Sequence, residues 1–279
     1  MYPLAAIARG ARRCDEAALS ALSYPELALL AAMLAAGFFV EAVAGFGGTV
    51  LAVSLGATRW PIATVLAVFL PLNLLLSSYL ALRHRRAVAG RELARRIVPA
   101  MAVGMAGGTA LALVVAADRA KLGFAILVIA VALRELARLN SRGRVAEPPG
   151  AGPTTDGVPL RPPIATAVLV AAGVIHGWFA TGGPLVVAVA ARMFPAKATL
   201  RATLAVLWFT LNLVVLGRLI AHGDLTTTTL GYSAAIVPAL AVALALGEWV
   251  HHRVSERGFR WLVAGLLLVT GAVLLIRTL

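Results

Sequence analysis

The chain of 279 residues is built from long apolar runs separated by short arginine-rich gaps. Several runs reach about 20 residues, which as a helix rising about 1.5 Å per residue spans the hydrocarbon core of a bilayer. Hydrophobic residues make up 61% of the chain and charged residues 13%, which is more apolar surface than a soluble domain of this length buries. The runs also lack the short alternating pattern of membrane β-strands. The sequence therefore predicts an all-α polytopic membrane protein.

Two of the runs, 27–58 and 162–191, are too long for one upright helix, and both contain a glycine motif. The first motif reads EAVAGFGGT from Glu41, and the second reads HGWFATGGP from His176. Paired glycines interrupt helices, and lipid tolerates an interrupted backbone only where protein or a cavity surrounds it. We therefore predict that each run is a broken, re-entrant helical hairpin. Such breaks at matching positions of two halves are typical of a transporter's binding site.

The two halves of the chain are related to each other. His176 follows Glu41 by 135 residues, and Asn212 follows Asn73 by 139 residues, each asparagine lying within Leu-Asn-Leu. The near-constant offset indicates two copies of one unit, joined by a segment rich in proline, glycine and charge. The predicted organisation is a polar N-terminal segment at 1–26, a first membrane repeat at 27–139, a linker loop at 140–161 and a second membrane repeat at 162–279.

The basic residues predict the orientation of the chain. Its formal net charge is +13, and the larger share of the Lys and Arg residues lies in 83–96, 134–161, 192–201 and 251–260. By the positive-inside rule these segments are cytoplasmic loops, so we interpret the charge as topology and expect no nucleic-acid partner. This distribution fits hairpins that enter from opposite faces better than motifs that each cross once. We therefore predict two inverted repeats in a multi-pass protein of the bacterial inner membrane.

The helix breaks are the predicted binding frame. A half-helix that begins after each glycine pair exposes backbone N–H groups and a positive dipole end, which suit a small anionic substrate. The neighbouring threonine hydroxyls could cap the half-helices or contact the anion. Close helix packing through small residues is the alternative explanation of the glycines. The candidate substrate-binding residues at the breaks are Gly45, Gly47, Gly48, Thr49, Thr181, Gly182 and Gly183.

Two titratable residues occupy equivalent positions beside the breaks. Glu41 is an acidic residue in the middle of an apolar run, and an intramembrane carboxylate is a candidate functional group because its burial is costly. It could carry a coupling proton, or be a neutral carboxyl bonded to a neighbouring helix. His176 is its counterpart and could donate to an anion, titrate, or pack in the core. We assign the pair to proton coupling or selectivity.

Further polar residues lie in the helices that follow the hairpins. Asn73 and Asn212 need hydrogen-bond partners if buried, so they either contact substrate or clasp two helices together. A set of basic residues flanks the repeat helices near the membrane surfaces and could draw an anion inward, or anchor the helices among lipid headgroups. This set comprises Arg59, Arg192, Lys197, Arg201 and Arg218.

The sequence carries no motif of a known enzyme class. It has no phosphate-binding loop, no HExxH and no Gly-x-Ser-x-Gly, and its lone Cys14 excludes an intramolecular disulfide and a cysteine metal cluster. We therefore predict no enzyme activity, no cofactor and no metal. The expected partners are a small anion and the lipid bilayer, with a homodimer left open.

The glycine motifs resemble those of the sulfite exporter TauE/SafE family, also called the membrane transporter protein family. In that family each of two related halves opens with a small-residue segment ending in a Gly-Gly pair, and 37–49 and 173–184 fit this form, the second with one residue fewer before the pair. The resemblance carries over to Gly45, Gly47 and Gly48, and to Thr181, Gly182 and Gly183. Glu41 and His176 depart from it, since small or apolar residues are common there.

The resemblance implies transport of small anions, often sulfur oxyanions and organosulfonates. Together with the residues, it predicts a secondary transporter of sulfite or an organosulfonate that binds near the midplane, with proton coupling as an option, and alternates access by rocking one repeat against the other. Two alternatives stay open. One is a carrier of another solute such as a carboxylate, and the other is a non-transporting membrane scaffold or assembly protein.

Overall fold

The computed structural model describes residues 22–44, 47–141, 160–194, 196–251 and 256–279, and the regular elements in these ranges are all helical. Five of the helices are long enough and apolar enough to cross a membrane. The predicted class, an all-α polytopic membrane protein, is confirmed. The N-terminal residues 1–21 and most of the predicted linker lie outside the described residues, so the division into 1–26, 27–139, 140–161 and 162–279 stays a prediction.

Each half contributes five principal helices. Those of the first half are α1 Tyr24–Ala44, α2 Gly48–Ala57, α3 Ile62–Arg83, α4 Val98–Val114 and α5 Ala117–Ser141. Between α3 and α4 the chain forms short turns of helix at Arg85–Ala87 and Gly90–Glu92 and a π-helical turn at Leu93–Ile97. Those of the second half are α6 Pro162–Phe179, α7 Gly183–Met193, α8 Lys197–His222, α9 Thr227–His251 and α10 Glu256–Ile276.

Helices α1 and α2 form the first predicted hairpin. They lie antiparallel and so close that a Cβ added at Gly37 would be 2.5 Å from the Cβ of Ala52. Glu26 at the start of α1 pairs with Arg59 just after α2, at 3.4 Å between Oε1 and Nη2. The chain therefore enters and leaves this hairpin at the same end of the bundle, as a re-entrant segment does. Phe38 of α1 stacks on Phe69 at 4.9 Å between ring centroids, which fixes the hairpin to α3.

The second hairpin is formed by α6 and α7. Gly182, at the start of α7, packs against the carbonyl oxygen of Ala172 and against the Cβ of His176, both in α6. The first hairpin makes the same kind of contact, since Gly48 packs against the carbonyl oxygen of Gly37 and the Cβ of Glu41. The two breaks are thus built alike, because in each a glycine at the start of the short helix packs against the titratable residue of the preceding long helix.

The helices of one half pair with those of the other in a two-fold pattern. The first helix of each half packs on the fourth helix of the other half, α1 on α9 and α6 on α4, while α3 packs on α8 and α5 on α10. Residues near the start of α1, the end of α2 and the C-terminus meet at one end, where Arg277 donates to the Thr58 carbonyl at 2.8 Å. At the other end the Ala89 N–H donates to Thr203 Oγ1 at 3.0 Å. This arrangement is consistent with the predicted inversion of the repeats.

The arginine-rich segments 83–96 and 192–201 lie together at the end marked by the Ala89–Thr203 contact. The C-terminal ends of α5, at Ser141, and of α9, at His251, lie at this end as well. Residues 142–159 and 252–255 themselves lie outside the described residues. The grouping agrees with the positive-inside reading, and the assignment of this arginine-rich end to the cytoplasm stays a prediction.

Small residues set the closest helix contact of the bundle, between α4 and α6. A Cβ at Gly104 or Gly108 would strike the carbonyl oxygens of α6, and a Cβ at Gly173 or Gly177 would strike those of α4. These are two facing Gly-x-x-x-Gly stripes, which let helices approach where lipid removes the hydrophobic drive to associate. The packing explanation of the glycines is therefore correct at Gly173 and Gly177, two turns and one turn before the break.

Replacing Gly108 with alanine should destabilise the protein by about 1–3 kcal/mol, since the new methyl group would displace the carbonyl of Val174. The neighbouring Gly107 is exposed, and a Cβ there would meet a Val174 methyl at 4.0 Å, an ordinary contact. Thermal unfolding in detergent compares the two variants. Equal melting temperatures would show that the α4–α6 contact is looser than described.

Candidate functional site

The two short helices begin at glycines and lack side-chain caps. Gly47 precedes α2 with φ of +87°, in the left-handed region that glycine adopts easily, and Gly182 precedes α7. No side chain caps either helix, so the first-turn N–H groups are candidate donors to a ligand, except at Pro184, which has no N–H. The predicted residues Gly47, Gly48, Gly182 and Gly183 therefore lie at helix N-termini. The remaining glycine of the prediction, Gly45, lies outside the described residues.

The left-handed residue of the second break is an alanine. Helix α6 ends at Ala180 with φ of +55°, and its N–H donates to the His176 carbonyl at 2.7 Å. A side chain in this region costs free energy that glycine avoids, and such strain often marks functional sites. The left-handed residue before the short helix is therefore Gly47 at the first break and Ala180 at the second.

A buried chain of polar side chains crosses the α3–α8 contact. Asn212 Nδ2 donates to Asn73 Oδ1 at 2.7 Å, and Asn73 Nδ2 donates to Glu41 Oε2 at 3.5 Å, the long limit of a hydrogen bond. Ser77 Oγ also donates to Asn73 Oδ1, at 3.3 Å. All four residues are buried. The structure therefore joins Glu41, Asn73 and Asn212 and makes the asparagine pair an interhelical clasp.

His176 lies on the other side of this chain, 1% exposed and stacked on Trp208 with ring centroids 5.7 Å apart. Asn212 lies beside the imidazole but outside hydrogen-bonding geometry. Within the described part of the chain, neither imidazole nitrogen has a partner, and the same holds for Thr181 Oγ1 and Asn212 Oδ1. Buried polar atoms are rarely left this way. These unpartnered atoms lie beside the start of α7, which makes the second break a candidate ligand site.

The remaining candidates lie in different surroundings. Thr49 is half-buried in the first turn of α2, and Arg192 is half-buried at the end of α7. Arg59 is exposed and paired with Glu26. The side chain of Lys197 lies outside the described part of the structure. In the described structure, Thr49, Arg59 and Arg192 form no hydrogen bond with the unpartnered atoms at the second break.

Arg218 lies deeper than the surface position predicted for it. Its Nη1 donates to the Gly177 carbonyl at 2.7 Å, within α6 and one turn before the break. Trp208, which no motif of the sequence indicates, covers His176 and faces Gly183. Trp208 precedes Asn212 by four residues, so a helical projection of α8 would have placed both on one face.

A cavity of about 360 Å³ lies against Glu41. Four helices enclose it, and the α9 wall consists of Ala241, Leu244 and Ala245. The other lining residues are Glu41, Ala42, Leu76, Tyr79, Leu80 and Arg201. Because Leu80 and Arg201 lie near the arginine-rich end, the cavity extends from that end toward the central polar chain. A further hollow of about 470 Å³ lies at the surface around residues 82–87, away from both breaks.

In the ranges that the structure describes, no three His, Cys, Asp or Glu side chains lie close enough to hold a metal ion. The groups available at the breaks and in the cavity are N–H, hydroxyl, imidazole, amide and guanidinium groups beside one carboxyl group. Apart from the carboxyl and the amide oxygen of Asn212, these groups can donate hydrogen bonds to an oxyanion.

A family model described as sulfite exporter TauE/SafE matches residues 29–274, which include both hairpins and the polar chain between them. The chain belongs to the TauE/SafE family. This confirms the predicted resemblance, and it makes the protein a multi-pass member of a family of membrane transporters of sulfur anions. The chain has no match among curated proteins and none among solved structures.

Proposed function

We propose that this TauE/SafE protein is a secondary transporter that moves sulfite or a small organosulfonate across the bacterial inner membrane. The observation that carries the proposal is the second break, where an uncapped half-helix begins beside buried polar atoms of three side chains that have no hydrogen-bond partner in the described part of the chain. These atoms are both imidazole nitrogens of His176, Thr181 Oγ1 and Asn212 Oδ1. An oxyanion would supply the acceptors that the hydroxyl, an imidazole N–H and the helix N–H groups require.

Free energy supports a ligand at this position. A buried donor or acceptor without a partner costs about 1–3 kcal/mol, and the unpartnered atoms of these three residues lie around one half-helix start. Oxygens of a sulfite or sulfonate group can accept several hydrogen bonds at once, and the dipole of α7 favours negative charge at its N-terminus. The anion is therefore held without a full positive charge buried against it.

The clasp at the centre of the bundle suits alternating access. Asn73 and Asn212 join α3 and α8, which are equivalent helices of the two halves and pack on each other. If the two halves rock against each other, the contact between α3 and α8 is the pivot. The hairpins, with their substrate-binding residues, then move relative to this pivot. The inversion of the repeats would then expose the site to one side of the membrane at a time.

Flux in proteoliposomes tests the proposal directly. Purified protein is reconstituted, and uptake of radiolabelled sulfite, an alkanesulfonate and a dicarboxylate is compared with protein-free vesicles. We expect saturable flux of sulfite or the sulfonate that the other sulfur anion inhibits. Flux of the dicarboxylate alone would favour a carboxylate carrier, and flux of none of the three would favour a scaffold.

If Glu41 carries the coupling proton, the Glu41→Gln variant should lose net flux driven by a pH gradient and keep anion exchange at equal pH. The amide preserves the size of the side chain and can still bond Asn73, but it cannot bind or release a proton. The titratable and charged groups that share its cavity are Tyr79 and Arg201. Glu26→Gln, at an exposed carboxyl far from the cavity, is the matched control. A Glu41→Gln protein that still responds to the pH gradient would remove Glu41 from coupling.

A further inference from the structure

We propose that the cavity beside Glu41 is a separate oxyanion site, in which the guanidinium of Arg201 holds the anion at the arginine-rich end before it reaches the break between α6 and α7. The proposal rests on the proposed function for the identity of the anion. The existence of the site rests on the cavity and on the buried Nε of Arg201, which has no hydrogen-bond partner among the described residues.

Arg201 is a cation in the cavity wall with an unused donor. Its Nε is buried and has no hydrogen-bond partner in the part of the chain that the structure describes. Glu41 faces the same cavity, yet the described ion pairs do not include Glu41 and Arg201. A half-buried guanidinium without an ion pair attracts an anion, and its planar fork matches two oxygens of an oxyanion.

The cavity has the size and position that this role requires. Its volume of about 360 Å³ falls within the range of small-molecule sites. Apolar walls from Leu76, Leu80 and Leu244 surround the guanidinium of Arg201, so its electrostatic attraction for an anion is stronger there than in water.

Helix α8 connects this cavity with the second break. Arg201, Trp208 and Asn212 are separated by seven and four residues, so they lie on one face of the helix. Asn212 is about 16 Å from Arg201 along the axis, from a rise of about 1.5 Å per residue. By the offset of 139 residues, the position of the first half that is equivalent to Arg201 is Ile62 of α3. The first half therefore has no cation at this equivalent position. The route for the anion therefore follows α8 alone.

Sulfite binding to purified protein tests the site without any flux measurement. Because the break between α6 and α7 is also a proposed sulfite site, titration calorimetry in phosphatidylcholine nanodiscs is fitted with two sites, and Kd denotes the value for the cavity site in the wild type, Arg201→Gln, Arg201→Lys and Arg95→Gln. Arg95 is an exposed arginine at the same end and serves as the control. We expect Kd to rise tenfold or more in Arg201→Gln and about threefold in Arg201→Lys, which keeps the charge but loses the fork. Arg95→Gln should stay within twofold.

The proposal is overturned if the Kd of Arg201→Gln is within twofold of the wild-type Kd. If Arg201→Gln does not fold, an unchanged Kd in Arg201→Lys overturns it. Phosphatidylglycerol added to the nanodiscs should leave Kd within twofold. If it abolishes sulfite binding, Arg201 binds a lipid headgroup and the proposal is wrong. If the wild type binds sulfite but shows no flux, the transport function is refuted and the Arg201 site is not. If the wild type shows flux and the Kd of Arg201→Gln is unchanged, the Arg201 site is refuted and the transport function is not.

Discussion

Replacing Gly182 with alanine should abolish transport, whereas alanine at the adjacent Gly183 should leave the rate within about twofold of the wild type. A Cβ at Gly182 would collide with the carbonyl oxygen of Ala172 and lie 3.0 Å from the Cβ of His176, so the hairpin would have to open. A Cβ at Gly183 would meet only the ring of Trp208, at 3.7 Å. Overpacking of this kind costs about 1–3 kcal/mol and moves the backbone, here at the start of α7.

Sulfite flux of the two variants at equal protein density in the vesicles measures the difference. Both variants should insert and purify, because the rest of the bundle is unaffected. Gly48→Ala provides a second comparison, since Gly48 lies against the Gly37 carbonyl and Glu41 in the same way. If Gly182→Ala transports as well as Gly183→Ala, the close approach at the break is not required for activity.

The losses of stability in the single variants Asn73→Leu and Asn212→Leu should add up to more than the loss in the double variant. Asn73→Leu leaves Asn212 Nδ2, Ser77 Oγ and Glu41 without their partner, whereas the double variant removes both members of the clasp. Contacting residues in one hydrogen-bond network couple by about 0.5–3 kcal/mol. Each single variant should also lose most transport, because the clasp holds the pivot between the halves.

Unfolding in mixed detergent micelles gives the four free energies of the cycle, and flux assays on the same samples give activity. Ser78→Ala is the control, as the Ser78 hydroxyl bonds only the Leu74 carbonyl of its own helix within the described structure. Additive free energies, with a higher KM for sulfite in each single variant, would mean that the asparagines bind substrate and do not clasp the helices.

Much of this fold follows from apolar length and from duplication. The runs 27–58 and 162–191 exceed one membrane thickness, so the glycine pairs inside them had to be breaks, and the structure places α1–α2 and α6–α7 there. The offset that pairs Glu41 with His176 also holds, because both residues contact the glycine of the following short helix. Periodicity and repetition are sufficient to predict these features, since they depend on backbone geometry alone.

The details of the site depend on distances that no pattern encodes. The constant offset pairs Gly48 with Gly183, whereas the contacts pair Gly48 with Gly182, because the second break turns at Ala180 and uses one residue fewer. Arg218 was expected near the membrane surface, and its long side chain instead reaches the Gly177 carbonyl. Whether Asn73 bonds substrate or Asn212 is likewise a question of a few ångströms between α3 and α8, which the sequence leaves open.

The exchange of partners between the halves has a consequence for biosynthesis. Helix α1 packs on α9 of the second half, so the first hairpin lacks its main neighbour until α9 has been synthesised and inserted. Until then Glu41 lies in the bilayer with only helices of the first half and the earlier helices of the second half beside it. Helix α6, by contrast, has its partner α4 already in place when it is inserted. A truncated chain that lacks α9 would therefore expose the carboxyl group of Glu41 to lipid and to membrane proteases.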